Sequence, residues 1–153
     1  MNERNVHSCD LDGRLVQVFE RVSEGFDPTT MIPMRSVVEV FYACEAPDWP
    51  KVRVRARRTV ARLLYGFGRR PGLSLDDTRF DAAFRVDAED EDFALRLLSP
   101  EMRRLLLEKR TVDWSMGHGL VKLFYRGRLR RDRIARSLDR LRRFWALVPP
   151  ELS

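Results

Sequence analysis

The chain has 153 residues, of which 44% are hydrophobic and 34% charged, so it is neither disordered nor fibrous and is long enough for one domain to bury most of its apolar surface. It carries a net charge of +6 and a pI near 10.0. Its uninterrupted apolar runs are only a few residues long, far short of a membrane span.

The charge falls in alternating blocks. Residues 1–50 hold nine acids and four bases, residues 51–75 eight bases and no acid, residues 76–101 nine acids and three bases, and residues 102–153 fourteen bases and five acids. Such blocks pair within a fold, or between subunits, more readily than they form one nucleic-acid footprint. Twenty-six of the 29 basic residues are arginine, a bias that a GC-rich coding sequence alone produces.

In chain order, residues 1–12 are polar, lack the apolar core of a secretory signal and read as a flexible tail, with one domain over 13–153. After the Asp12-Gly13 turn, Leu15 to Val22 alternates like a strand with Val16 and Val18 inward. EGFDPTTMIP is a loop, and the β-branched and aromatic run Ser36–Cys44 is a central strand. Val52, Val54 and Ala56 alternate with Arg53, Arg55 and Arg57, giving a strand with one basic face. Residues 58–67 fit a short helix or a continuation of that strand, and GFGRRPG is a loop lacking the GK[ST] of a phosphate cradle.

The second half is sharper. Asp76-Asp77 reads as a turn before a strand at Ala82–Val86. Asp90 is placed to cap a helix whose apolar face is Phe93, Leu97 and Leu98. Ser99-Pro100-Glu101 restarts a helix with an N-cap, a first-turn proline and a first-turn acid, running to about Lys109. Val112, Trp114 and Met116 mark a strand, Gly117-His118-Gly119 a tight turn, and Leu120–Tyr125 the returning strand. A last helix spans Arg131–Leu147 and stops at Pro149-Pro150. Its stripe Ile134, Leu138, Leu141, Trp145 and Val148 is predicted to face the sheet, with Arg133, Arg136, Arg140 and Arg143 nearly opposite.

The order FDAAFRV, DFALRLLSPEMRRLLL, DWS, hairpin and LVPPEL, from Phe80 to Leu152, resembles a soluble domain of a family of actinobacterial proteins with no established activity. The resemblance covers about half of the chain and is looser from Gly13 to Val54. It implies a strand-rich first half followed by a helix pair, a hairpin and a terminal helix. Relatives often carry membrane-spanning helices ahead of this domain; none is seen in this chain.

Candidate chemistry is sparse. The histidines, His7 and His118, have no partner at metal-ligand spacing, so neither a metal nor any other cofactor is expected. Cys9 and Cys44 form no CxxC and read as ordinary thiols of a reducing compartment, hence a cytoplasmic location. His7, Ser8 and Cys9 are adjacent in the predicted tail, the wrong context for a preorganised triad. Asp87, Glu89, Asp90, Glu91 and Asp92 lack the glycine and the terminal glutamate of a calcium loop and read as a solvated capping turn. Trp49, Trp114 and Trp145 fall at core or turn positions rather than on a base-stacking surface.

The sequence thus predicts an α+β fold: an antiparallel sheet of about five or six strands with two or three helices on one face. The expected function is a non-enzymatic binding or scaffolding module that engages a protein partner or a second copy of itself. The alternative is a nucleic-acid- or phosphate-binding protein using Arg53, Arg55 and Arg57 with Arg133, Arg136, Arg140 and Arg143, if the two rows converge. The acidic blocks weigh against that alternative, because arginine faces that are solvated or paired with those blocks account for the rows.

Overall fold

The computed structural model describes residues 2–24, 29–30, 36–57 and 72–153. The predicted element at 58–67, the arginines of GFGRRPG and most of the EGFDPTTMIP loop lie outside these residues. The fold is α+β. Strands β1 (Asn2–Leu11), β2 (Arg14–Ser23), β3 (Val37–Glu45), β4 (Val52–Ala56), β5 (Phe84–Ala88), β6 (Asp113–Gly117) and β7 (Leu120–Arg126) form one antiparallel sheet in the order β1-β2-β3-β7-β6-β4-β5. Among the described residues four helices join them: α1 (Thr78–Ala83), α2 (Glu91–Leu97), α3 (Pro100–Leu107) and α4 (Arg131–Leu147), and a 3₁₀ turn follows at Pro150–Leu152.

The sheet therefore has seven strands rather than five or six. The additional one is β1, where a tail was expected. Its side chains are exposed as far as Ser8, so it shows no apolar alternation; backbone pairing along β2 holds it instead. Asp12 and Gly13, at φ 52° and 84°, make the two-residue turn that sets the register. A bulge between Arg4 and His7 is marked by Asn5 at φ 54°. Beside it Asn5 Nδ2 donates to Glu20 at 2.9 Å and Arg4 pairs with the same carboxylate at 3.4 Å.

Ala82 and Ala83, expected in a strand, instead end a helix that begins at Thr78. The side chain of Asp77 accepts the Phe80 N–H at 3.1 Å and so starts α1; β5 begins only at Phe84. Arg103 donates to Asp77 at 3.0 Å. The Phe80 N–H and then this guanidinium hold the Asp77 carboxyl below its usual range. The other caps are as read: Asp90 accepts from Phe93, and Ser99 from Met102 with Pro100 following.

Alternation along the strands sorts the sheet into two faces. Val16, Val18, Tyr42, Val52, Val54, Trp114, Leu123 and Val86 share one buried cluster with Phe93, Leu97, Met102, Leu106, Leu141 and Phe144 of the helices. On the other face Phe19, Phe41 and Phe124 stack across β2, β3 and β7 at 5.4 and 4.9 Å. The β6–β7 hairpin turns at His118 and Gly119, with φ 53° and 82°. Gly117 is held at φ +124°, and a Cβ there would lie 2.7 Å from the Lys51 Cα.

Helix α4 packs a rotated stripe. Its buried residues are Ser137, Leu141 and Phe144, continued by Val148 past its end, while Ile134, Leu138 and Trp145 lie half-buried along one flank. The rotation carries Arg133 and Arg140 to the opposite flank, half-buried, rather than outward; Arg136 and Arg143 remain exposed. No helix among the described residues is long and apolar enough to cross a membrane.

Candidate functional site

The rotation of α4 opens a cavity of about 500 Å³ between that helix, the end of β7 and the connection from α3 to β6. Five basic residues line it: Lys109 from the connection, Arg126 from β7, and Arg133, Arg136 and Arg140 from α4. No carboxylate belongs to the lining among the described residues. Spacings of three and four on a helix keep the three α4 arginines on one side. Arg126 is the last residue of β7, next to Tyr125, and both line the cavity.

The floor is a cluster of hydroxyls. Tyr42 and Tyr125 share a hydrogen bond at 3.1 Å, and Ser137, 3% exposed, bonds to the Tyr42 phenol. Burial pushes the Tyr42 pKa well up, so the phenol keeps its proton. The guanidinium of Arg133 lies over the Tyr125 ring, 5.1 Å from its centroid. Thr111 and Val112 add a less polar wall.

Arg140 is the most constrained of these cations. Its Nε is buried and has no hydrogen-bond partner among the described residues. Desolvation lowers its pKa, with the Glu108 charge acting the other way. A buried unpaired donor on a charged group is costly unless something accepts its proton. Glu108 itself is taken by Arg143 in a two-pronged contact at 2.7 and 2.5 Å. Arg136 and Arg140 also edge a shallower groove beside Asp139 and Arg143.

The predicted arginine rows do not converge. Val52 and Val54 face the helices, so Arg53 and Arg55 project from the opposite side of the sheet to α4. Arg53 faces Asp87 of β5 across the ladder. Arg57, just past β4, donates to the carbonyls of Asp81 at 2.8 Å and Phe84 at 3.1 Å and so ties α1 to the sheet. Of the α4 row, Arg133, Arg136 and Arg140 come together, while Arg143 is engaged by Glu108. Sequence reasoning missed Lys109, Arg126, Tyr125 and Ser137, whose only signal was membership in the basic block 102–153.

Several of the other chemistry-bearing side chains have structural partners. Glu89 accepts the Lys51 N–H at 2.9 Å and meets His118 at 3.1 Å, which hold its carboxyl below the usual range. Burial pushes the thiols of Cys9 and Cys44 up, and neither is bonded to the other. Trp49, buried, donates its indole N–H to the Leu152 carbonyl at 2.8 Å. Among the described residues no group of three or more histidine, cysteine or acidic side chains is arranged to hold a metal ion.

No family model matches the chain, and no curated protein does at a significant level. The resemblance to actinobacterial proteins therefore rests on its sequence motifs alone. The crystal structure of the mycobacterial trehalose monomycolate transport factor A, TtfA, is similar: the TM-score is 0.57 and the identity 12%, over 97% of this chain and 75% of that one. At that identity the likeness is one of fold.

Proposed function

We propose that this protein is a non-enzymatic binding module that takes an anionic group in the cavity between β7 and α4. The observation that carries this reading is the convergence of Lys109, Arg126, Arg133, Arg136 and Arg140 without a carboxylate among the described lining residues. Five like charges held together in one concavity repel one another, and an anion relieves that repulsion. Arg140 lines this concavity, and its Nε–H has no partner among the described residues.

The chemistry of the lining favours holding over turnover. Guanidinium groups stay protonated at any physiological pH and donate without accepting, so they fix an anion but do not shuttle a proton. The raised pKa of Tyr42 removes the phenol beneath as a base. The fold neighbour is a transport factor by name, an accessory role of the same kind. The two unbonded cysteines agree with a cytoplasmic location. The placement of Arg53 and Arg55 on the far side of the sheet from α4 argues against one continuous nucleic-acid track.

Thermal unfolding at constant ionic strength tests the reading. Inorganic phosphate, sulfate and citrate are expected to raise the midpoint saturably relative to sodium chloride. The double variant Lys109→Ala/Arg136→Ala, at two exposed positions, should abolish most of the shift, and Arg53→Ala/Arg55→Ala should preserve it. Equal midpoints in all salts would refute the proposal.

A further inference from the structure

We infer that the ligand of this cavity is a phosphate monoester of a small organic molecule, bound with its phosphate against Arg140 and Arg136 and its organic body against Val112 and Tyr125. The inference rests on the anion-binding reading above and adds the chemical class.

Size is the first argument. A cavity of about 500 Å³ lies in the range that holds small molecules and is larger than a bare oxyanion requires. A duplex backbone is a convex polyanion that needs an extended track, and the arginines of β4 that would extend one lie on the opposite face.

Charge and geometry make the second. Five cations with no carboxylate among the described lining residues leave a singly charged ligand far from neutralising the site. A phosphate monoester carries close to two negative charges near neutral pH and presents three acceptor oxygens. Planar guanidinium forks match phosphate oxygens in pairs, and here three forks project from one side of α4. The Nε–H of Arg140 has no partner among the described residues.

The cavity wall adds apolar atoms beside the cations, from the largely buried Val112 and the Tyr125 ring. Among the described residues the exposed large hydrophobics, Val6, Leu15 and Leu95, are not part of the lining, so none of them offers the cavity an apolar rim for entering a bilayer. A soluble phosphate ester fits this arrangement better than a headgroup held in a membrane.

Titration calorimetry of the whole chain at about pH 8, where a phosphate monoester is a dianion, tests the class. The probes are phenyl phosphate, inorganic phosphate, phenyl sulfate and citrate. Phenyl phosphate should bind one to one, more tightly than inorganic phosphate. It should exceed phenyl sulfate by at least about tenfold, the range of one charge-assisted hydrogen bond. Arg140→Lys keeps the charge but removes the fork and should weaken phenyl phosphate by about tenfold or more. Arg136→Ala, at an exposed position, should weaken it while leaving the melting midpoint unchanged, so a folding defect in the Arg140 variant does not decide the matter. Arg55→Ala should leave binding intact.

Vesicles of phosphatidylcholine with phosphatidic acid separate the two sources of the phosphate. Capture of the protein with no response to phenyl phosphate would overturn the soluble ester. Equal affinity for phenyl sulfate, citrate and phenyl phosphate would overturn the phosphate class and leave the anion reading standing. No binding of any anion would remove both. Tighter binding to duplex DNA than to phenyl phosphate, lost in Arg53→Ala/Arg55→Ala, would also overturn the inference.

Discussion

The ring of Phe144 stacks on the indole of Trp114, with centroids 5.3 Å apart and planes 20° from parallel. This contact joins α4 to the middle of the sheet. Both residues are fully buried, whereas Trp145 is half-buried, against Trp49 at 5.5 Å and under Arg14 at 3.7 Å. Phe144→Ala is therefore expected to cost about 3–5 kcal/mol, the range of a large-to-small change in a closed core. Trp145→Ala should cost roughly half as much, because part of its surface already meets water. Denaturant unfolding of the two variants checks the order; a larger loss for Trp145→Ala would mean that the helix faces the sheet as its aliphatic spacing alone suggests.

Glu20, 4% exposed, accepts the Leu129 N–H at 2.7 Å just ahead of α4, while also holding Asn5 of β1. One carboxylate thus ties the edge strand and the start of the helix to β2. Glu20→Ala leaves these donors without their acceptor and should cost about 1–3 kcal/mol. Glu20→Gln, which keeps a carbonyl oxygen, should cost less. Hydrogen exchange at Leu129 and along β1 should speed up together in Glu20→Ala; acceleration at neither would show that the carboxylate does not couple them.

How much of this was legible in the sequence depends on how local the determinant is. The caps at Asp90 and Ser99 and the glycine-flanked hairpin act within three or four residues, and all appear where the sequence places them. Strand β1 was invisible because its support comes from the β2 backbone and from Glu20, fifteen residues beyond Asn5. Helix α1 was missed because a six-residue helix has too few turns to show a period; the Asp77 cap and the Arg103 pair define it. On α4 the spacing of aliphatic side chains pointed to Ile134 and Leu138, but the buried Ser137 and Phe144 set the true face. That offset of a few tens of degrees moved two arginines from solvent to a cavity wall. The cavity draws on three elements, which no local pattern brings together.

The Glu108–Arg143 pair makes stability depend on pH. The hydrogen bond from Arg143 holds the Glu108 carboxyl below its ordinary value of 4.5. A depressed carboxylate contributes stability that is present above its unfolded pKa and is lost as pH falls through its lower folded value. The melting midpoint should therefore fall on acidification below about pH 4.5, the unfolded glutamate value. Glu108→Gln should flatten part of that fall while changing little near neutrality, because the pair is exposed and screened. An identical acid profile in the variant would show that the pair does not form in solution.

The central claim is that the Arg140 side of the cavity receives an anion, and the most direct measurement observes that side chain's own proton. In a nitrogen-15 labelled sample, the arginine Nε–H resonances are followed while phenyl phosphate is added at fixed ionic strength. The Arg140 resonance is expected to shift along a saturable curve as the guanidinium lining the cavity receives the phosphate, while those of Arg53 and Arg55 stay fixed. An Arg140 resonance that does not move, or that moves only as the β4 arginines do, would contradict the claim.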